Sequence, residues 1–258
     1  MDSEQLPSER PPRDELVRAI SGELELRDNQ DDAGPTMVGH FARFNEWTEI
    51  DSVFEGNFME RVAPGAFRKT FAENRDRMRV LFQHGQDPQI GDKPLGSIDV
   101  LEEDKRGAYY EVPLLDAPYV RDNILPGLRA GLYGASFRFS VQREEFNRDT
   151  QPSEHNPQAL PERTLKEIAV REFGPVTFPA YPGATAGVRS LTDEFYRRAL
   201  VAAGLVRETP NDYLTITTSA PPTDAAQEGT SSRDAAHATT QTWPTAPPDI
   251  WEEHPWNP

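Results

Sequence analysis

Three side chains far apart in the chain have the residue types for nucleophilic chemistry on a hydroxyl: Ser136, His84 and Glu172. A serine at neutral pH is a weak nucleophile and needs a base within hydrogen-bond reach, most often histidine. Ser136 stands in the stretch 128–141, Leu-Arg-Ala-Gly-Leu-Tyr-Gly-Ala-Ser-Phe-Arg-Phe-Ser-Val. That text reads as a helix end, a turn loosened by Gly131 and Gly134, and then a strand. Phe137, Phe139 and Val141 alternate with Ser136, Arg138 and Ser140, so one face is apolar and Ser136 opens the other. Gly134 and Ala135 before it leave space for a substrate backbone. A solvent-facing serine at a strand start is the plainer alternative, and this stretch alone leaves it open.

Five histidines are available as a base. His237 and His254 lie in a polar tail, His155 in a polar loop beside Pro157, and His40 inside an early hairpin. His84 closes the segment 77–84, read as a strand that exits at Gly85, and it shares parity with Val80 and Phe82. A satisfied structural histidine is the alternative there. A third group should orient the imidazole and stabilise its cation. Over Thr164 to Phe173, Lys166, Ile168, Val170 and Glu172 share one face, and an inward carboxylate is costly unless paired. Glu172 is therefore the leading candidate and Glu167 the fallback. A salt bridge to Arg138 or Arg171 is the structural alternative for Glu172.

Other chemistries lack their residues. The esterase elbow needs glycine on both sides of the serine, and Arg138 occupies one of those positions. There is no His-Glu-x-x-His helix and no phosphate-binding glycine loop. Glu102-Glu103-Asp104 reads as a solvated turn rather than a metal site. No cofactor and no metal are expected.

The elements that must position these groups are mostly short strands. Residues 17–27 read as a first strand and Met37 to Phe44 as a second, joined by the turn 28–35 into a hairpin. Pro64 and Gly65 open a short helix in which Phe67 and Phe71 share a face. Ile98 to Leu101 and Ala108 to Leu114 read as a strand pair. Pro118 to Ala130 is helical in composition, with Pro126 a kink or break. Thr164 to Phe178 is a strand, and Leu191 to Leu205 an amphipathic helix capped by Ser190 or Thr192. With no βαβ rhythm, the expectation is a mainly β (α+β) fold, a barrel-like β core with peripheral helices.

Composition bounds the rest. The 258 residues are 36% hydrophobic and 27% charged, with 24 prolines, no cysteine and net charge −16. Residues 1–36 hold ten acids against four bases, and residues 201–258 eight against two, so the acidity sits at the two ends. No basic cluster marks a nucleic-acid partner, and no run is long and apolar enough to span a membrane. The N-terminus lacks the basic-then-apolar order of a signal peptide, so the expected setting is cytosolic. The domain expectation is a flexible leader over 1–16, a catalytic domain over 17–205, and a disordered acidic tail over 206–258, rich in Pro, Thr and Ala. Trp251 and Trp256 near its end have the composition of a short docking peptide.

Taken in order, several segments resemble one family, the prohead maturation proteases of tailed bacteriophages, related in fold to the herpesvirus assembly proteases. The segments are 39–45 (Gly-His-Phe-Ala-Arg-Phe-Asn), 58–67 (Phe-Met-Glu-Arg-Val-Ala-Pro-Gly-Ala-Phe), 80–85 (Val-Leu-Phe-Gln-His-Gly), 94–96, 134–139, and Glu172 leading into 176–184. The resemblance implies a herpesvirus-protease-like fold, with Ser136 as nucleophile, His84 as general base and Glu172 as third member. It implies a serine endopeptidase, enclosed in the assembling prohead within the bacterial host cytoplasm. Its substrates would be the phage scaffold or the scaffolding extension of the major capsid protein, and also itself. A homodimer follows by analogy with the herpesvirus enzymes. The alternatives are a catalytically inactive capsid-assembly or scaffold-binding protein on the same fold, and an esterase with a deep apolar pocket. Two departures from the family pattern stand out. Phe173-Gly174-Pro175 follows Glu172 where a continuous strand is usual, which implies a bulge or break, and Arg138 stands where the family often has glycine.

Overall fold

The alternating text around Ser136 forms the two longest strands, β9 (Gly134–Asn147) and β10 (Glu162–Val176). A computed structural model describes residues 10–20, 24–28, 34–177, 191–207 and 215–216. The two strands pair antiparallel, with Phe139 opposite Val170, Phe137 opposite Phe173 and Ser136 opposite Gly174. On the free edge of β9 lies β1 (Leu16–Ile20), antiparallel, with Ala19 opposite Ser136. The far edge of β10 carries two short parallel partners, β5 (Gly56–Val62) at its start and β6 (Arg79–Val80) near its end. Beyond β5 runs β4 (Thr48–Ser52). A second sheet has the order β2 (Leu24–Arg27), β3 (Thr36–Arg43), β8 (Gly107–Pro113), β7 (Val100–Glu103).

The apolar faces of the two sheets meet in an aromatic core. Phe41 of β3 lies 5.2 Å from Phe137 and 4.8 Å from Phe173, and Tyr110 of β8 lies 4.9 Å from Phe173, centroid to centroid. Such pairs add about 0.5–1.5 kcal/mol each beyond their buried area. Helix α1 (Arg68–Asn74) closes one side, with Phe67 and Phe71 stacked at 5.5 Å as their four-residue spacing requires. A π-turn at Val120–Ile124 runs into α2 (Leu125–Arg129), whose first turn holds Pro126, where a missing N–H costs nothing. Helix α3 (Leu191–Ala202) follows β10.

The fold is mostly strands with a few helices, but the sheets do not close into a barrel. Among the described residues the first sheet ends at β1 and β4 and the second at β2 and β7. The single strand expected over 17–27 is two strands: β1 joins the first sheet, and β2 makes the expected hairpin with β3 in the second. The chain divides into a unit over Met1–Ala199 and a second over Leu200–Pro258. The second contains the antiparallel pair β11 (Val206–Arg207) and β12 (Thr215–Ile216). Most of the tail expected over 206–258 lies outside the described residues. The leader expected over 1–16 carries contacts from Pro12 on, whose carbonyl accepts from Arg163 at 2.9 Å.

A buried ionic network ties β1 to the first sheet. The fully buried Arg163 bonds Glu144 at 2.6 Å and Glu60 at 3.4 Å, and Arg18 bonds Glu55 and Glu60, each at 2.7 Å. Burial alone would push the Glu55 carboxyl up, but Arg18 and Arg163 outweigh it and hold it below its ordinary 4.5. This contribution to stability is present above that value and fades as pH falls through the lowered one. Arg163→Met removes the one cation shared by three buried carboxylates, leaving Glu55 and Glu60 to Arg18 and Glu144 to Arg13, and a loss of about 3–5 kcal/mol is expected in denaturant unfolding at pH 7.

Candidate active site

Ser136 sits at the start of β9, on the face opposite Phe137 and Phe139, as the alternation requires. Its hydroxyl is fully buried. Its Oγ lies 2.8 Å from His84 Nε2 and 2.8 Å from the carbonyl oxygen of Arg18 on β1. One hydroxyl hydrogen thus has two acceptors at equal distance, and only the bond to the imidazole leads toward an alkoxide.

His84 does not arrive on a strand. Extended pairing ends at Leu81, whose N–H donates to Phe173 O at 3.0 Å, and the chain then turns sharply over Phe82–Gly85. Gln83 (φ 50°) and His84 (φ 57°) both adopt the left-handed region that residues with a side chain avoid. Each such residue costs about 1–3 kcal/mol and persists only where its surroundings impose it. The imposing contacts are the Leu81 bond, the Leu95 N–H bond to Val80 O, and Gln83 Nε2 donating to Thr177 Oγ1 at 2.5 Å. The parity with Val80 and Phe82 is therefore not what aims the imidazole; the strained turn is.

Glu172 reaches the site through a bulge. Its Oε1 lies 2.7 Å from His84 Nδ1. The register jumps between Val170 and Glu172, leaving Arg171 unmatched, so Val170 faces the core with Phe139 while Glu172 pairs with Arg138 on the Ser136 face. Strict alternation would have put Glu172 in the inward row with Ile168 and Val170. The break expected after Glu172 is absent: Phe173, Gly174 and Pro175 continue the strand, and the irregularity comes one residue earlier. Glu172 Oε2 and Arg138 Nε are both buried without a hydrogen-bond partner, and Arg138 Nε stands 3.6 Å from Glu172 Oε1. Arg171 pairs instead with Glu15 at 2.8 Å.

Gly174 makes this assembly sterically possible. A Cβ at that position would lie 2.0 Å from Leu81 O and 3.0 Å from Leu81 N, both backbone atoms. Gly174→Ala therefore pushes away the segment that carries His84. A loss of about 1–3 kcal/mol is expected by denaturant unfolding, with a lengthened His84–Ser136 distance in a crystal structure.

Helix α3 covers the same face, which nothing in its amphipathic pattern announced. The Phe195 ring meets His84 edge-on at 6.0 Å, and the Arg138 guanidinium lies 5.2 Å from its centroid. Thr192 Oγ1 accepts from Val17 N–H, and Asp193 accepts from Ser52 Oγ and the Val53 N–H. Burial pushes the Asp193 carboxyl above its ordinary value, against the pull of those donors.

The remaining candidates lie elsewhere. Glu167 pairs with Lys69 at 3.2 Å, His40 with Asp104 at 2.9 Å, and His155 with Glu162 at 3.0 Å while stacking on Trp47. His237 and His254 fall outside the described residues. Among the described residues no group of three or more His, Asp or Glu could hold a metal ion, and no helix is long and apolar enough to cross a membrane.

Comparison with curated proteins gives no match. Among solved structures, the bacteriophage T4 capsid assembly protease, gp21, is similar at 12% identity and a TM-score of 0.39, over 64% of this chain and 98% of that one. The family model described as caudovirus prohead serine protease matches residues 22–197, more than half of the chain and a span that contains Ser136, His84 and Glu172. By that match the chain belongs to the caudovirus prohead serine proteases, and it is a serine protease.

Proposed function

We propose that Ser136, His84 and Glu172 are the catalytic triad of a maturation endopeptidase. The observation that carries this reading is the continuous relay of 2.8 Å from Ser136 Oγ to His84 Nε2 and 2.7 Å from His84 Nδ1 to Glu172. With Nδ1–H donating to the carboxylate, Nε2 is free to accept the serine proton as Oγ attacks the scissile carbonyl. The imidazolium then faces the Glu172 charge, and Nε2–H returns the proton to the leaving amine. Water repeats the cycle on the acyl-enzyme, with His84 again as base.

The proposed substrates are the phage scaffold or the scaffolding extension of the major capsid protein, cut inside the prohead in the bacterial host cytoplasm, together with the chain itself. Family membership supports this reading. The herpesvirus-protease-like topology, a homodimer, and a catalytic domain over 17–205 belong to the same proposal. The acidic tail over 206–258 is assigned to scaffold docking; a chain ending at 205 should then fail to enter proheads. Co-expression with the shell and scaffold proteins of its phage tests the substrate assignment. Shortened partners are expected by intact-mass measurement beside the wild-type chain and partners of full mass beside Ser136→Ala; partners of full mass beside the wild-type chain contradict it.

A further inference from the structure

Phe195 is only 6% exposed yet lies outside the contiguous aromatic core, and its ring meets the two groups flanking Ser136 on the site face, the His84 imidazole and the Arg138 guanidinium. We propose that the space this ring fills is the recognition pocket for a large apolar side chain of the substrate beside the scissile bond, filled here by the chain's own helix α3. The proposal rests on Ser136 being the nucleophile.

Two features argue for it. Ser136 is fully covered and has no open path for a carbonyl carbon, which must approach Oγ to about 3 Å before reaction. Something over the site face must therefore leave before catalysis. The attachments of α3 are also replaceable: Thr192 accepts from Val17 N–H and Arg18, Asp193 from Ser52, Val53 and Phe54, Gln86 Nε2 donates to the Phe195 carbonyl at 3.2 Å, and the Tyr196 ring lies 5.2 Å from Phe54. Most of these are hydrogen bonds that water can take over. Phe195 is an apolar anchor of α3 on the catalytic groups, and the walls it meets are an aromatic edge and a flat cation, which suit a benzyl or branched alkyl group. An incoming chain with such a side chain regains what the displaced ring gives up, whereas one with a small side chain does not.

The test uses the full chain and three diphenyl aminoalkylphosphonates, which phosphonylate a reactive serine with loss of phenol and differ only in a benzyl, methyl or carboxyethyl side chain. The adduct on Ser136 is followed by mass spectrometry, with a melting curve on each variant. Wild type is expected to react slowly with all three. Phe195→Ala is expected to react at least about tenfold faster with the benzyl reagent, and to prefer it about tenfold over the methyl one, the discrimination an apolar pocket typically gives. Gln86→Ala loosens α3 without touching the pocket and is expected to shift the benzyl rate the same way by less, which keeps the test open should Phe195→Ala fail to fold. Equal rates in all chains, or a preference for the carboxyethyl reagent, overturn the pocket while leaving Ser136 a nucleophile. Absence of any Ser136 adduct in every chain overturns the nucleophile assignment and the pocket with it.

Discussion

Ser136→Ala is expected to lower cleavage of the proposed scaffold substrate by about a millionfold, and His84→Ala by nearly as much. The effects should not add. Oγ without its base is a neutral alcohol, and the imidazole without Oγ has no proton to take, so each single change already dismantles the unit. The double variant should sit at the same residual rate as Ser136→Ala alone. A purely structural pair would behave differently: each change would reduce stability, and activity would decline in step with the folded fraction. Cleavage rates of the two single variants and the double, beside their melting curves, separate these cases. The Ser136 side chain is small and packed at the end of a paired strand, so its replacement by alanine leaves the fold intact.

Glu172→Gln is the second large effect, an expected drop of about 10^3 to 10^4 in kcat with little change in KM. The amide is isosteric but carries donors as well as an acceptor. Turned with its N–H2 toward Nδ1, it would favour the tautomer protonated on Nε2, which points a hydrogen at Ser136 Oγ instead of a lone pair. It also leaves the imidazolium formed during attack without a countercharge, beside the cation of Arg138 at 3.6 Å from the same carboxylate oxygen. Arg138 is not a substitute for that charge; it opposes it. Steady-state kinetics on a scaffold-derived peptide check this, and an unchanged kcat would remove Glu172 from the chemistry.

How far the sequence reveals the site differs for each of its members. Ser136 is legible because strand alternation is a local property: Phe137, Phe139 and Val141 announce the buried face, and the serine takes the other. His84 is legible as a residue and illegible as a geometry. Two consecutive left-handed residues, Gln83 and His84, are held by contacts with Phe173 and Thr177 roughly 90 positions away, and local text gives no warning beyond Gly85. Glu172 is expected in the inward row, and the bulge at Arg171 reverses that parity and brings it to the face of His84.

The sheet pattern fails for a related reason. Residues 17–27 show one continuous strand propensity, but β1 and β2 join different sheets, a choice made by partners and not by propensity. The expected barrel follows from several short strands and the lack of a βαβ rhythm, which do not say whether edges meet. Phe195 was invisible because an amphipathic helix announces that it will cover something without saying what. Gly174 shows a signal that could have been read: a glycine between Phe173 and Pro175 in a strand marks a close backbone approach, and here that approach is by the segment that bears His84.

The account depends on one hydroxyl being made nucleophilic by one ring. The most direct measurement is prolonged exposure of the full chain to a fluorophosphonate, followed by tryptic mapping of the peptide 130–138, Ala-Gly-Leu-Tyr-Gly-Ala-Ser-Phe-Arg. The account predicts an adduct on Ser136 that disappears in His84→Ala. An adduct on another serine, or one on Ser136 that forms equally fast without His84, would contradict it.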